Sequence, residues 1–196
     1  MAHNQHRTVP AVAFAGGETD EFLAGLAATD PAAFAELYRR YVVRIHRYCS
    51  RRLYDQTLAE DATSQVFLKA LESLQRKRID NVASWLFSIA HNEVVDRYRR
   101  QHHDAPFDGV LDIASPDRSP EDLAIMASAS SDLRRLLPLL TADQQRVIEL
   151  RLAGLTTVEI QDVLGKGRSW VGTTQHRALH RLRGLMHTPR AGEGRP

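Results

Sequence analysis

The feature that most narrows the fold is a pair of capped helical segments between Thr156 and Arg183. Thr156-Thr157-Val158-Glu159 has the form of a capping box, in which a hydroxyl and a carboxylate reciprocally satisfy free N–H groups at a helix start. The helix it opens ends at Leu164, and Gly165 stands where a left-handed residue closes a helix. After the turn Lys166-Gly167-Arg168, a second helix is expected from Ser169 to Met186, with Val171, Ala178, Leu179 and Leu182 inward. Two short helices joined by a glycine turn, the second basic on its outer face, fit the helix-turn-helix, whose second helix enters the DNA major groove. A plain helical hairpin gives the same pattern, so the motif alone leaves that choice open.

The rest of the chain is also helical in its periodicity. Thr141-Ala142-Asp143-Gln144 is another capping box, opening a helix that buries Val147, Ile148 and either Leu150 or Leu152 and stops at Gly154. Leu133, Leu136, Leu137 and Leu140 end the helix before it. Further upstream, a short helix carries Phe22, Leu23 and Leu26, and Asp30-Pro31 then gives an N-cap oxygen followed by proline at the first helical position. The helix expected over Pro31–Leu53 lines up Phe34, Leu37, Tyr41, Ile45, Tyr48 and Cys49 on one stripe, with Arg39, Arg40, Arg44, Arg47, Arg51 and Arg52 opposite. A helix over Leu58–Leu74 turns Ala59, Ala62, Val66, Phe67, Ala70, Leu71 and Leu74 inward. After the basic connection QRKRID, a helix over Val82–Arg100 buries Val82, Trp85, Leu86, Ile89, Val94 and Tyr98.

Residues 101–121 interrupt this periodicity with Pro106, Gly109, Pro116 and Pro120 among acidic side chains. A stretch of about twenty unpatterned residues is unusual inside one compact domain. The expected architecture is therefore all-α: a flexible leader (1–19), a first bundle (20–100), an acidic linker (101–121), a second bundle with the helix-turn-helix (122–187) and a loose tail (188–196). Charge follows the same division. Residues 32–100 carry thirteen basic and eight acidic side chains, residues 101–131 one and six, and residues 132–188 nine and five. Two basic modules flanking an acidic segment suit a polyanion held at two places, although surface charge also varies without purpose.

Several function classes drop out. There is no apolar run long enough to span a membrane and no signal-peptide pattern, so a cytoplasmic protein is expected. A single cysteine, Cys49, allows no internal disulfide, and no Cys/His cluster has zinc spacing, so neither metal nor cofactor is expected. A metal-dependent hydrolase would need to draw on His91, Asp96, His102, His103 and Asp104. His91 and Asp96 are five residues apart and do not share a helix face, and the histidines read as ordinary surface residues. No catalytic residues are expected.

The segment LTADQQRVIELRLAGLTTVEIQDVLGKGRSWVGTTQHRALHRLRGLM resembles the C-terminal domain of bacterial RNA polymerase sigma factors of the extracytoplasmic-function class. Independently, AFAELYRRYVVRIHRYC, LAEDATSQVFLKALESL and WLFSIAHNEVVDRYRR resemble that family's region 2 in order and spacing, and the likeness covers roughly Glu21 to Met186. The resemblance implies a non-enzymatic factor that binds core RNA polymerase and directs promoter recognition, DNA melting and transcription initiation. Its implied partners are the β′ clamp helices and β subunit of the polymerase, and double- and single-stranded promoter DNA; an anti-sigma factor is a further candidate.

By position, the clamp-facing surface is Asp61, Gln65, Leu68, Lys69 and Glu72. The −10 element, with a base flipped from the non-template strand, falls to Arg76, Lys77, Arg78, Asp80 and Asn81 in the loop, and to Ser88, Asn92, Asp96, Arg97, Arg99 and Arg100 on the helix. Asn92 and Asp96 suit base edges and the arginines phosphates. Trp85 could stack on a base, but its place on the apolar stripe favours the core. Asp104, Asp108, Asp112 and Asp117 of the linker either mimic nucleic acid inside the polymerase or belong to a plain tether. The −35 surface is Arg168, Ser169, Trp170, Thr173, Thr174, His176, Arg177 and Arg181. Here the chain departs from the family at Lys166, Trp170, Gly172 and Thr173 or Thr174, so no promoter sequence carries over. A stand-alone helix-turn-helix regulator with a ligand-sensing or dimerising first bundle is the competing reading.

Overall fold

The structure, a computed structural model, describes residues 17–74, 78–101, 133 and 135–187. The expected leader up to residue 16, Arg76 and Lys77, the linker with its four aspartates, and the tail from residue 188 lie outside the described residues. Among those described, all regular structure is helical: α1 (Asp20–Leu26), α2 (Pro31–Leu53), α3 (Gln56–Leu74), α4 (Val82–Gln101), a 3-10 turn (Leu137–Leu139), α5 (Ala142–Leu152), α6 (Thr157–Leu164) and α7 (Arg168–His187).

Helix starts follow local chemistry. The Thr19 hydroxyl accepts from the Phe22 N–H at 3.2 Å, the Asp30 carboxylate from Ala32 at 2.9 Å, and the Asp55 carboxylate from Leu58 at 2.7 Å. Both capping boxes, Thr141/Gln144 and Thr156/Glu159, are formed in full, and Gly165 is left-handed with φ 62°. Helix α2 ends at Tyr54, a non-glycine residue at φ 54°.

The first bundle closes around Leu37, Tyr41, Ile45 and Tyr48 of α2, Ala62, Val66 and Ala70 of α3, and Leu86, Phe87, Ala90 and Val94 of α4, all buried. The alanines let α3 approach its neighbours closely, while each large side chain withdrawn from water contributes about 1.5–3 kcal/mol. Arg40 fastens α1 to α2, donating to Glu36 at 2.7 Å and to Asp20 and the Glu18 carbonyl at 2.8 Å. The Tyr41 hydroxyl donates to the same Asp20 carboxylate.

In the C-terminal half, Leu137, Leu140, Ile148, Ala178 and Leu182 form a small core of their own. The other apolar side of that half behaves differently. Val147, Leu150, Ala153, Leu155, Ile160, Val163 and Val171 merge into the core of the first bundle. Helix α6 packs along α4, and α5 touches α2. The two bundles therefore meet in a shared core, an arrangement that the break in periodicity did not lead one to expect. Individual positions are also settled or corrected. Leu150 is buried and Leu152 exposed; Leu71 and Leu179 are more exposed than their stripes implied; and Arg52, assigned to the outer face of α2, is buried.

Candidate nucleic-acid interface

Asp61, Gln65, Leu68, Lys69 and Glu72 all emerge on one exposed face of α3. Leu68 is 52% exposed, and Tyr38 and Leu71 are further exposed apolar side chains of α2 and α3. The Tyr38 ring lies 4.7 Å from that of Phe67, which belongs to the core. Lys69 has a second duty: its ammonium donates to Glu93 of α4 at 2.6 Å.

Along α4 the expected DNA-facing residues divide into two kinds. Asn92, Arg99 and Arg100 are exposed. Others are engaged in the fold: the Asn81 side-chain carbonyl caps α4 by accepting from the Ser84 N–H at 2.8 Å, and the Ser88 hydroxyl donates to the Ser84 carbonyl at 2.7 Å. Asp96 is half-buried, and its carbonyl accepts from Arg100 Nε at 3.3 Å. The Arg97 side chain is only 16% exposed and donates to Glu93 at 2.9 Å. Trp85 is half-buried against the core, as its stripe implied.

Glu93 escaped the sequence reading. Its carboxylate is buried, yet it takes Lys69 on one side and Arg97 on the other, with Arg100 at 3.9 Å. Burial alone raises the carboxyl's pKa, but the hydrogen bonds and charges of Lys69 and Arg97 outweigh it and hold the group below the usual carboxylate range. The legible signal was the four-residue spacing from Glu93 to Arg97. Ahead of α4, exposed Arg78 and Asp80 flank buried Ile79, and these three form a recess of about 310 Å³ with Glu21 and Phe22 of α1.

On α7, Arg168, Ser169, Thr173, His176, Arg177 and Arg181 are exposed, while Trp170 and Thr174 are half-buried. Trp170 packs against the core, and the Lys166 ammonium sits 5.5 Å from its ring centroid, joining the turn to the helix. A Cβ at Gly172 would meet nothing within 4 Å, so packing does not account for that glycine. The angle of the helix pair is set by Arg151, another residue the sequence reading passed over. It donates to the Leu155 carbonyl, to the Thr157 hydroxyl and to the Gln175 amide oxygen at 2.8–2.9 Å, bracing α5, α6 and α7 together. Among the described residues no cluster could hold a metal ion, and no helix is long and apolar enough to cross a membrane.

Comparisons with known proteins place the chain in a family. Residues 37–103, which take in most of α2 and all of α3 and α4, match the Sigma-70 region 2 family. The chain is 33% identical over 164 residues to the RNA polymerase sigma factor YlaC of Bacillus subtilis, covering 81% of this chain and 94% of that protein. The chain belongs to the extracytoplasmic-function RNA polymerase sigma factors. This sigma factor is also 32% identical over 159 residues to BldN of Streptomyces coelicolor, covering 79% of this chain but 60% of that protein's length. With SigD of Mycobacterium tuberculosis it shares 29% identity over 183 residues, 89% of this chain and 86% of that one.

Its fold is that of CnrH, solved with the cytosolic domain of CnrY, at TM-score 0.68 and 23% identity over 86% of this chain and 97% of that one. It is likewise that of the sigma factor RpoE of Bartonella quintana, solved with the anti-sigma factor NepR, at TM-score 0.63 and 22% identity over 80% and 98% of the two chains. The region 2 match ends at residue 103, before the C-terminal half begins.

Proposed function

We propose that this sigma factor holds core RNA polymerase through the exposed face of α3, reads and helps melt a −10 element with α4 and the loop before it, and grips a −35 element with α7. The observation that carries the reading is the coincidence of the region 2 match with an α3 face that stays open although its neighbours on α3 are buried. On α4, Asn92 suits a base edge and Arg99 and Arg100 suit phosphates. Asn81 and Arg97 serve by holding the helix in shape. The recess beside Phe22, Arg78 and Asp80 combines an aromatic ring with hydrogen-bonding groups, the chemistry that receives an unstacked base. On α7, Arg168, Ser169 and Thr173 lie toward the N-terminal end that enters the groove, with Arg177 and Arg181 placed for the backbone.

The work is divided between residues 20–100 and 122–187, in the cytoplasm, without catalysis by the factor itself. As in the CnrH and RpoE complexes, a restraining protein is a further partner. The region 2 match speaks against a stand-alone regulator, which needs no polymerase-docking face. The test is a pull-down with core polymerase. Asp61→Arg combined with Gln65→Lys is expected to abolish retention while helical content stays that of wild type; full retention by the folded variant would reject the assignment of α3.

A further inference from the structure

Helices α3 and α4, given above to polymerase and to DNA, meet in one buried carboxylate. The Glu93 side chain of α4 is 3% exposed. Its Oε2 accepts from Lys69 Nζ of α3 at 2.6 Å, and its Oε1 from Arg97 Nε at 2.9 Å. Arg100 Nη2 lies 3.9 Å from the same Oε1. Among the described residues, one negative charge thus faces three positive ones. These differ in where else they can go. Lys69 opens onto the polar face of α3, and its side chain is 45% exposed. Arg97 is mostly covered, and Arg100 is 69% exposed near the end of α4.

To a guanidinium, a carboxylate oxygen offers what a phosphate oxygen offers, an anionic acceptor at hydrogen-bond distance. Glu93 therefore occupies an arginine that nucleic acid could use. Arg97 shares its helix with exposed Arg99 and Arg100, yet it is turned in and bound. Lys69 limits this pull by taking the second carboxylate oxygen. Screening is weak around a buried charge, so a carboxylate that loses one cation holds the remaining ones harder. The partners keep the carboxyl below the usual carboxylate range, so the charge persists at neutral pH.

We propose that Glu93 is an internal counter-ion that withholds Arg97 from nucleic-acid phosphates and draws on Arg100, and that Lys69 of α3 sets the strength of that hold. This rests on the DNA reading of α4 given above. Lys69 is then a positioning residue for the DNA-facing helix as well as a member of the α3 face. A group that draws Lys69 away from Glu93 tightens the carboxylate on the arginines, so the two faces respond to each other through one side chain.

The test uses the full chain and a mixed-sequence DNA duplex of about thirty base pairs, with binding followed from about 0.05 to 0.3 M salt. Glu93→Gln keeps the shape and an acceptor but removes the charge. Glu60→Gln removes the same charge from the exposed surface of α3 and is the reference. Glu93→Gln is expected to bind at least about fivefold more tightly than Glu60→Gln, with a slope of log K against log salt steeper by about one, as Arg97 joins the phosphate contacts. Lys69→Met is expected to weaken binding about threefold, a fraction of one phosphate contact, and to have no effect when combined with Glu93→Gln. Equal affinities for the two glutamine variants would overturn the proposal. So would a Lys69→Met loss of the same size in both backgrounds, because Lys69 would then touch DNA directly. A second readout needs no DNA and serves if Glu93→Gln does not fold. Exchange of the Arg97 Nε proton with water, followed by NMR, should slow at least about twofold in Lys69→Met and stay unchanged in Lys69→Arg; unmoved exchange in Lys69→Met overturns the competition. A wild-type chain that does not bind the duplex refutes instead the DNA reading of α4, and the exchange measurement still decides whether Lys69 and Arg97 compete for Glu93.

Discussion

Glu93, Glu149 and Arg52 are charged residues with almost no exposed surface, and they meet the cost of burial differently. Glu93 is satisfied by Lys69 and Arg97 and stays ionised. Glu149 is less well served: burial pushes its carboxyl above the ordinary range, against the pull of Arg52. Cys49 is buried with its thiol pushed up to about 12, chiefly by desolvation, which leaves little thiolate for redox chemistry. His91, which the sequence suggested was an ordinary surface residue, is hydrogen-bonded to Tyr48 across 3.1 Å. Burial, then the charges of Arg52 and Arg146, lower its pKa from 6.5 to about 4. A depressed histidine contributes stability that is complete above about 6.5 and is lost as pH falls through about 4. Glu149 has the opposite sign, contributing most below the ordinary carboxylate range and less as pH rises through its raised value. His91→Gln keeps a hydrogen-bonding group without the titration. Its denaturation midpoint is expected to fall less than that of wild type between pH 6.5 and 4; parallel pH curves would refute the assignment.

At the scale of elements, helices α2, α6 and α7 were legible almost to their ends, because Asp30-Pro31, Thr156 with Glu159, and Gly165 are local signals that act within one turn. The same locality explains what was missed. Arg52 looks like one more arginine on a basic face, and only α5, nearly a hundred residues later, reveals that this part of the face is covered. Arg151 was invisible for a related reason, because Thr157 and Gln175 lie on other helices, and for Glu93 only the Arg97 half of the pairing was local while Lys69 comes from α3. On α4 the structure separates arginines that sequence alone treats alike. Arg99 and Arg100 are exposed, so replacing either with alanine should weaken DNA binding across sequences and reduce the slope of log K against log salt by about one. Arg97→Ala should instead lower stability by about 1–3 kcal/mol, because it leaves the buried Glu93 carboxylate short of a partner. Unfolding curves and salt titrations on all three variants check this; an Arg97 variant of full stability would contradict it.

For the whole molecule, the all-helical class and the order of the helices followed from periodicity and caps, but the closed arrangement did not. Val147 and Val171 read equally well as the inside of a separate bundle, and nothing local distinguishes a core shared with a distant segment from a private one. The molecule thus pairs a helix with an open polar face, α3, with a C-terminal half folded back on α4. The most direct measurement is run-off transcription from fragmented genomic DNA with core polymerase, with and without this chain, followed by mapping of transcript 5′ ends. The expected result is new, discrete start sites that depend on the chain and share two upstream elements near −10 and −35. Transcription that is no more specific than with core polymerase alone would contradict it.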